Sequence, residues 1–308
     1  MPLPIFMQYL IGGLAIGAVY SLIAVGYSMI WKTMGLLNFA QGPAVMFSGF
    51  LGITALTLLP KNFPPLLTLM AVLTFACCVS ALISVVIHKM VHEPTFKSSL
   101  KLRNVNYEKM NVLVATLAVG VLLENTAKII WTGEPRFFSL PIGRSVIQAG
   151  SIIFPSINLW ILCIAALIVF LLQLFLYKTR AGKAMRAVAL DKEAAALMGI
   201  NVRRSIQATF TLAYVLGAVA GILVSPIIFA YFAHGQILGL KGFSSAILGG
   251  IYSVPGAICG GLLLGVLESF GAAFVGAGYR NTVAFIVLIA VLLIRPTGLF
   301  AKKASEKL

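Results

Sequence analysis

Residues 66–87 read LLTLMAVLTFACCVSALISVVI, twenty-two positions without one charged side chain. As a helix, at 1.5 Å per residue, they extend about 33 Å. That exceeds the roughly 30 Å hydrocarbon core of a bilayer, which a helix crosses with about 20 apolar residues. A backbone placed there must satisfy its own N–H and C=O groups, so the stretch reads as a transmembrane helix.

Working outward, comparable apolar runs recur at Leu159–Tyr177, Ala208–Ala233 and Thr282–Ile294, the last short enough to need flanking residues. The whole chain of 308 residues is 60% hydrophobic and only 10% charged, with a mean hydropathy of +1.02. A soluble domain carries about one quarter charged residues, so a water-facing surface cannot be assembled here. Met1–Gln8 holds no Lys or Arg and the first apolar stretch runs on to about Ile30, which reads as a first span and not as a cleaved leader. Cys77, Cys78, Cys163 and Cys259 all lie within apolar runs, away from His or carboxylates, and His88, His92 and His234 lack ligand spacing. The cysteines read as small packing residues, with no metal and no disulfide.

The formal charge is +15, and its distribution decides its meaning. Of 23 Lys and Arg, five fall in His88–Met110, seven in Lys178–Arg204 and four in Arg295–Leu308. Basic residues concentrated in alternate loops follow the positive-inside rule. Aromatic interleaving of the kind that single-stranded nucleic acid requires is missing, which excludes that class of partner. With the three basic stretches placed inside, spans are expected at about Gln8–Ile30, Ala44–Leu59, Leu66–Ile87, Asn111–Trp131, Leu159–Tyr177 and Ala208–Phe232, followed by three short ones between Gly242 and Arg295. Breaks fall at Val254-Pro255-Gly256 and Gly276–Arg280, and the stretch with Pro135, Pro141 and Pro155 cannot form one continuous helix. The expected fold is all-α, a polytopic bundle of about eight or nine membrane segments in a single domain, 1–308, with an external N terminus and a cytoplasmic C terminus. A discontinuous helix is expected near Phe243–Ser253; if that segment dips in and turns back, the count falls to eight and one terminus changes sides. Four glycine pairs at a spacing of four, Gly13/Gly17, Gly217/Gly221, Gly256/Gly260 and Gly261/Gly265, predict close helix crossings.

One polar stretch, Tyr177–Arg204, reads YKTRAGKAMRAVALDKEAAALMGINVRR. Acidic Asp191 and Glu193 open an alanine-rich helix over Lys192–Met198, and Gly199 stops it, since glycine accepts the left-handed conformation that ends helices. Such a helix either caps the bundle, lies on the lipid surface, or docks a partner. The string Glu193-Ala194-Ala195 with Gly199 resembles the Glu-Ala-Ala-x-x-x-Gly signature of ATP-binding cassette importer permeases, without the usual Ile-x-Leu-Pro continuation. Gly35-Leu36-Leu37-Asn38-Phe39-Ala40-Gln41-Gly42, Arg180-Ala181-Gly182, Leu248-Gly249-Gly250 with Pro255-Gly256-Ala257, and Arg295-Pro296-Thr297-Gly298-Leu299-Phe300 resemble, in the same order, the permeases of branched-chain amino-acid importers. The likeness covers essentially the whole chain. Gln41 stands where that family often has His, and the loop Thr95–Glu108 is longer and more basic than usual.

The resemblance implies a transmembrane permease of the bacterial inner membrane that moves branched-chain amino acids, or related urea, amide or aromatic-acid solutes, into the cytoplasm. It implies no cofactor of its own: ATP is bound by partner subunits, and no Gly-x-x-x-x-Gly-Lys-Ser/Thr string occurs here. The partners implied are a second related permease, two ATP-binding subunits and a periplasmic substrate-binding protein. The coupling loop is 178–207, with Glu193, Ala194, Ala195 and Gly199 as its contact residues. Intramembrane polarity marks Asn38, Gln41 and Glu124 as pathway candidates. For the two amides the alternative is satisfaction of a broken backbone, and for Glu124 an ion pair with Lys128 at i+4. Glu268 is expected to pair with backbone or a neighbouring helix. A secondary transporter or channel remains the rival class; a membrane-embedded enzyme would need clustered His, Asp and Glu that the spans lack.

Overall fold

The computed structural model describes residues 3–60, 63–92, 105–138, 140, 142–143, 145–149, 152–295 and 297–300. Most of the first basic loop and the tail after Phe300 lie outside them. The described chain forms helices α1 (Leu3–Met34), α2 (Gln41–Leu58), α3 (Pro65–Ile87, continued by a π-turn at His88–His92), α4 (Val105–Trp131) and α5 (Ile157–Lys178). Two short helices follow, α6 (Arg180–Leu190) and α7 (Lys192–Leu197), and then α8 (Val202–Ile228), α9 (His234–Gly249), α10 (Val254–Phe274) and α11 (Arg280–Ile294). Between α4 and α5 the proline-bearing stretch forms an antiparallel pair, β1 (Val146–Ala149) with β2 (Ile152–Pro155), in the register Val146↔Pro155 and Ala149↔Ile152.

Among the described residues, eight helical segments are long and apolar enough to cross a membrane. The segment that falls short is α9, whose 16 residues make about 24 Å of helix. It starts inside the bundle: Gly235 and Gly239 press against Pro43 and Gly42 at the first turn of α2. Its other end closes at Gly250, φ +100°, and Ser253 caps α10 by accepting the Gly256 N–H at 3.1 Å. The discontinuity anticipated at Phe243–Ser253 thus lies at 250–253, and the short segment begins at His234, eight residues before the expected Gly242.

α1 is the axis of the bundle, buried from Gly13 to Ile30 at all but one position. Lipid supplies no hydrophobic force to press helices together, so approach is set by the bulk between backbones. All four glycine pairs occupy such approaches. Gly13 and Gly17 of α1 meet the α10 backbone near Val266 and Leu262, a Cβ built there falling 2.9 and 2.8 Å from the respective Cα atoms, while Gly261 and Gly265 answer against Ser21 and Gly17. The falling numbers make α1 and α10 antiparallel. Serines lace the same seam: Ser21 donates to the Ile258 carbonyl, Ser28 to Ile251 and Ser269 to Tyr9, each at 2.7 Å. Gly217 and Gly221 admit Val45 of α2, which runs parallel to α8, and Gly256 and Gly260 admit α9 at Gly249.

Gly221→Leu forces a side chain into the Val45 carbonyl and is expected to cost at least about 1–3 kcal/mol. Gly12→Ala enters open space and is expected to be neutral or slightly stabilising. Thermal unfolding of the detergent-purified variants checks the contrast.

Candidate functional site

Three polar constructions stand out against the apolar bundle. The first is the pair α6–α7. Thr179 caps α6, its Oγ1 accepting the Gly182 N–H at 3.0 Å. Asp191 caps α7, its Oδ1 accepting the N–H groups of Glu193 and Ala194 at 2.9 and 3.0 Å and presenting negative charge to the helix N-terminus. At the other end Gly199 takes φ +80°; its N–H meets the Ala196 carbonyl at 2.9 Å, and Ile200 N–H meets Ala195 at 3.0 Å. That is a Schellman turn. Nothing lies within 4 Å of a Cβ placed on Gly199, so conformation, not crowding, selects glycine. Asn201 then caps α8 through the Arg204 N–H at 3.0 Å. The helix expected over Lys192–Met198 is present as Lys192–Leu197, and a second capped helix, Arg180–Leu190, which the sequence reading does not single out, precedes it and joins it at Asp191. Met185, Val188 and Ala195 are buried against the bundle, whereas Leu190, Leu197 and Met198 stand 88, 89 and 83% exposed. Of the residues named from the sequence, Glu193, Ala194 and Gly199 are exposed and Ala195 faces inward.

The second is the break between α1 and α2. Gly35, φ +69°, ends α1, and residues 36–40 pass through the interior. Asn38 and Gln41 are wholly buried. Asn38 Oδ1 accepts the Ala40 N–H at 3.1 Å, and Gln41 Nε2 donates to the Ala213 carbonyl of α8 at 2.8 Å. Asn38 Nδ2 and Gln41 Oε1 keep no partner among the described residues. The two amides thus satisfy the interrupted backbone with one atom and hold another spare. Beside the break, a cleft of about 250 Å³ runs between α4 and α9, lined chiefly by Tyr27, Phe39, Val121, Leu240 and Phe243, with Gln236 as its side-chain amide. Gln236 Nε2 lies 3.4 Å from Glu124 Oε2. The anticipated ion pair within α4 is not formed: Lys128 Nζ sits 5.5 Å from the centre of the Phe232 ring, and Glu124 turns instead toward α9. The short helix α9 starts beside Glu124, which rewards a carboxylate there.

The third is an ionic cluster. Glu268 of α10 is 0% exposed and its Oε1 is shared by Lys241 Nζ of α9 at 2.6 Å and Arg280 Nε of α11 at 2.7 Å. The lysine hydrogen-bonds; the arginine is close but misaligned for donation, so its contact is coulombic. Tyr20 Oη of α1 receives a further Lys241 bond at 3.2 Å. Four helices meet at one carboxylate. Of the two partners expected for Glu268, backbone or a neighbouring helix, the structure supplies the second, through Lys241 and Arg280, which the sequence reading does not single out. The signal for Lys241 is its position, a lone cation amid Leu240, Gly242 and Phe243, one residue outside the span expected from Gly242.

Residues 9–292 match the family described as branched-chain amino acid transport system / permease component. The chain is 34% identical to the high-affinity branched-chain amino acid transport system permease protein BraD of Pseudomonas aeruginosa, covering 98% of each chain. It is 32% identical to LivH of Escherichia coli, over 98% of this chain and 97% of that one, and 28% identical to the probable LivH of Methanocaldococcus jannaschii, over 90% and 87%.

The cluster makes an asymmetric prediction. Glu268→Gln leaves the buried Lys241 ammonium without its carboxylate and facing the partly exposed Arg280 guanidinium, and is expected to cost about 3–5 kcal/mol. Lys241→Met keeps the Glu268–Arg280 pair and is expected to cost clearly less. Unfolding midpoints of the two purified variants decide the order.

Proposed function

We infer the function from one premise, that this chain belongs to the branched-chain amino acid transport system permease family: it is a multi-pass membrane permease of an ATP-binding cassette importer. We propose that its solutes are branched-chain amino acids. The cleft beside the α1–α2 break supports this over urea or other fully polar solutes, because its walls are aliphatic and aromatic and its polar groups, Gln236 with Glu124 behind it, are gathered at one place. An apolar side chain needs such walls, and an ammonium group needs a carboxylate. Asn38 and Gln41, with their spare amide atoms, lie at the adjoining break.

The observation that carries the reading is the α6–α7 pair. Its cap and Schellman turn make it rigid, its inner face is anchored on the bundle, and it offers Leu190, Leu197 and Met198 to water. Exposed apolar side chains on a capped, projecting element fit a docking surface. We propose that ATP-binding subunits grip this surface and that closure of their dimer moves α6–α7, switching the bundle between outward- and inward-facing states. The assembly so proposed comprises this chain, a second related permease, two ATP-binding subunits and an external binding protein. It sits in the bacterial inner membrane with α6–α7 and the C terminus in the cytoplasm and the N terminus outside. Chemistry at ATP belongs to the partners.

Gly199→Val places a β-branched residue at φ +80°, a strain of about 1–2 kcal/mol, and Glu193→Lys reverses charge at the α7 N-terminus. Both are expected to abolish ATP-driven uptake of leucine in vesicles while the protein remains inserted. Uptake at the unsubstituted rate in both variants would remove the coupling role.

A further inference from the structure

At the end of the bundle that carries α6, the helix ends leave a cleft of about 660 Å³ whose walls include Lys32 of α1, Tyr177 of α5, Arg186 of α6 and Val254 of α10. Two cations line it and no carboxylate does. The Arg186 guanidinium lies 4.3 Å from the centre of the Tyr177 ring, and its Nε is buried without a hydrogen-bond partner. Neither Lys32 nor Arg186 takes part in the ion pairs among the described residues. The first turn of α10 opens on the same space and adds the positive end of its dipole. A guanidinium held over a ring with its Nε donor unused is preorganised for phosphate oxygens.

A second cavity of about 380 Å³ adjoins the first. It lies between α1, α5 and α10, its walls drawn from Ala18, Leu162, Ala166, Val169, Phe170 and Leu262, and it shares Gln173 with the cationic cleft. Phe170, Gln173 and Tyr177 follow at spacings of three and four and so share one face of α5. From Lys32 to Ala18 the paired cavities follow α1 for about 21 Å. One leaflet contributes roughly half of a core of about 30 Å, so the remainder has the depth of a headgroup.

We propose that cleft and groove form one site for an anionic phospholipid of the leaflet adjoining α6–α7, its phosphate between Lys32 and Arg186 and an acyl chain against Ala166 and Phe170. A soluble anion would use the cleft alone, and a helix of a neighbouring subunit the groove alone; their adjacency on either side of Gln173 fits a molecule with a charged head and an apolar tail. Because α6 forms one wall and α1 and α10 the others, the bound lipid ties the docking pair to the axis of the bundle. The assignment of the inner leaflet rests on the orientation proposed above, whereas lipid retention is independent of what the permease carries.

The full-length protein is reconstituted in vesicles of phosphatidylcholine with added phosphatidylglycerol, re-extracted in mild detergent and weighed intact. Phosphatidylglycerol is expected to be retained in preference to phosphatidylcholine. The double substitution Lys32→Gln with Arg186→Gln should lower that retention about tenfold or more, as loss of hydrogen bonds to charged groups implies. Ala166→Phe, which fills the groove and keeps both cations, should lower it similarly, while Lys32→Arg should preserve it. If a variant fails to fold, the preference of the unsubstituted protein and the Lys32→Arg result still decide. Equal retention of the two lipids, unchanged retention in the variants, or a cross-link from Ala166→Cys to another protein subunit would each overturn the proposal.

Discussion

The close backbone approach of α1 to α10 is the contact on which the rest of the structure depends. In hydrocarbon, two apolar helices gain nothing by leaving lipid for each other unless their surfaces fit more closely than acyl chains do. Gly13 and Gly17 on one side and Gly261 and Gly265 on the other remove the bulk between the axes, and Ser21, Ser28 and Ser269 convert nearness into hydrogen bonds to carbonyls across the seam. With α1 and α10 joined, the short α9 packs between them and α2, and Lys241, Glu268 and Arg280 come within ion-pair distance. A carboxylate at 0% exposure is tolerable only with such neighbours, because an isolated buried charge is prohibitively costly. The ionic cluster is therefore a consequence of the glycine seam as well as a lock upon it.

The breaks in the bundle have a different logic. Freed backbone groups cannot be left in lipid, and the interruption at Gly35–Ala40 is enclosed by α4, α8 and α9 and supplied with amides from Asn38 and Gln41. The same enclosure that satisfies the backbone creates the apolar cleft beside it. The polar atoms left spare by the backbone, Asn38 Nδ2 and Gln41 Oε1, therefore lie at the break that adjoins this cleft, and the proposed solute pathway draws on that neighbourhood.

Much of the fold was legible because its causes are local. Length and apolarity of Leu66–Ile87 suffice for a span, and Asp191 at the start of Lys192–Met198 and Gly199 after it mark a helix and its stop through side-chain and φ preferences. Glycine spacing revealed the close crossings without revealing the partners. What could not be read depended on distant chain. The i,i+4 rule paired Glu124 with Lys128, but α9 offers Gln236 to the first and Phe232 a ring to the second, and tertiary contact prevailed. The role of Lys241 depends on Glu268 and Arg280, supplied by two later helices. The hairpin Val146–Pro155 carries no strong alternation, and its pairing is visible only in the folded chain.

The proposed coupling requires the α6–α7 pair to lie on the cytoplasmic side, where a nucleotide-driven subunit can reach it. Lys183 is exposed on α6, and its reaction with a membrane-impermeant reagent, introduced at Lys183→Cys, reads the side directly. Labelling in inside-out vesicles with protection in intact cells is the predicted result; labelling from the outside of intact cells would contradict the account.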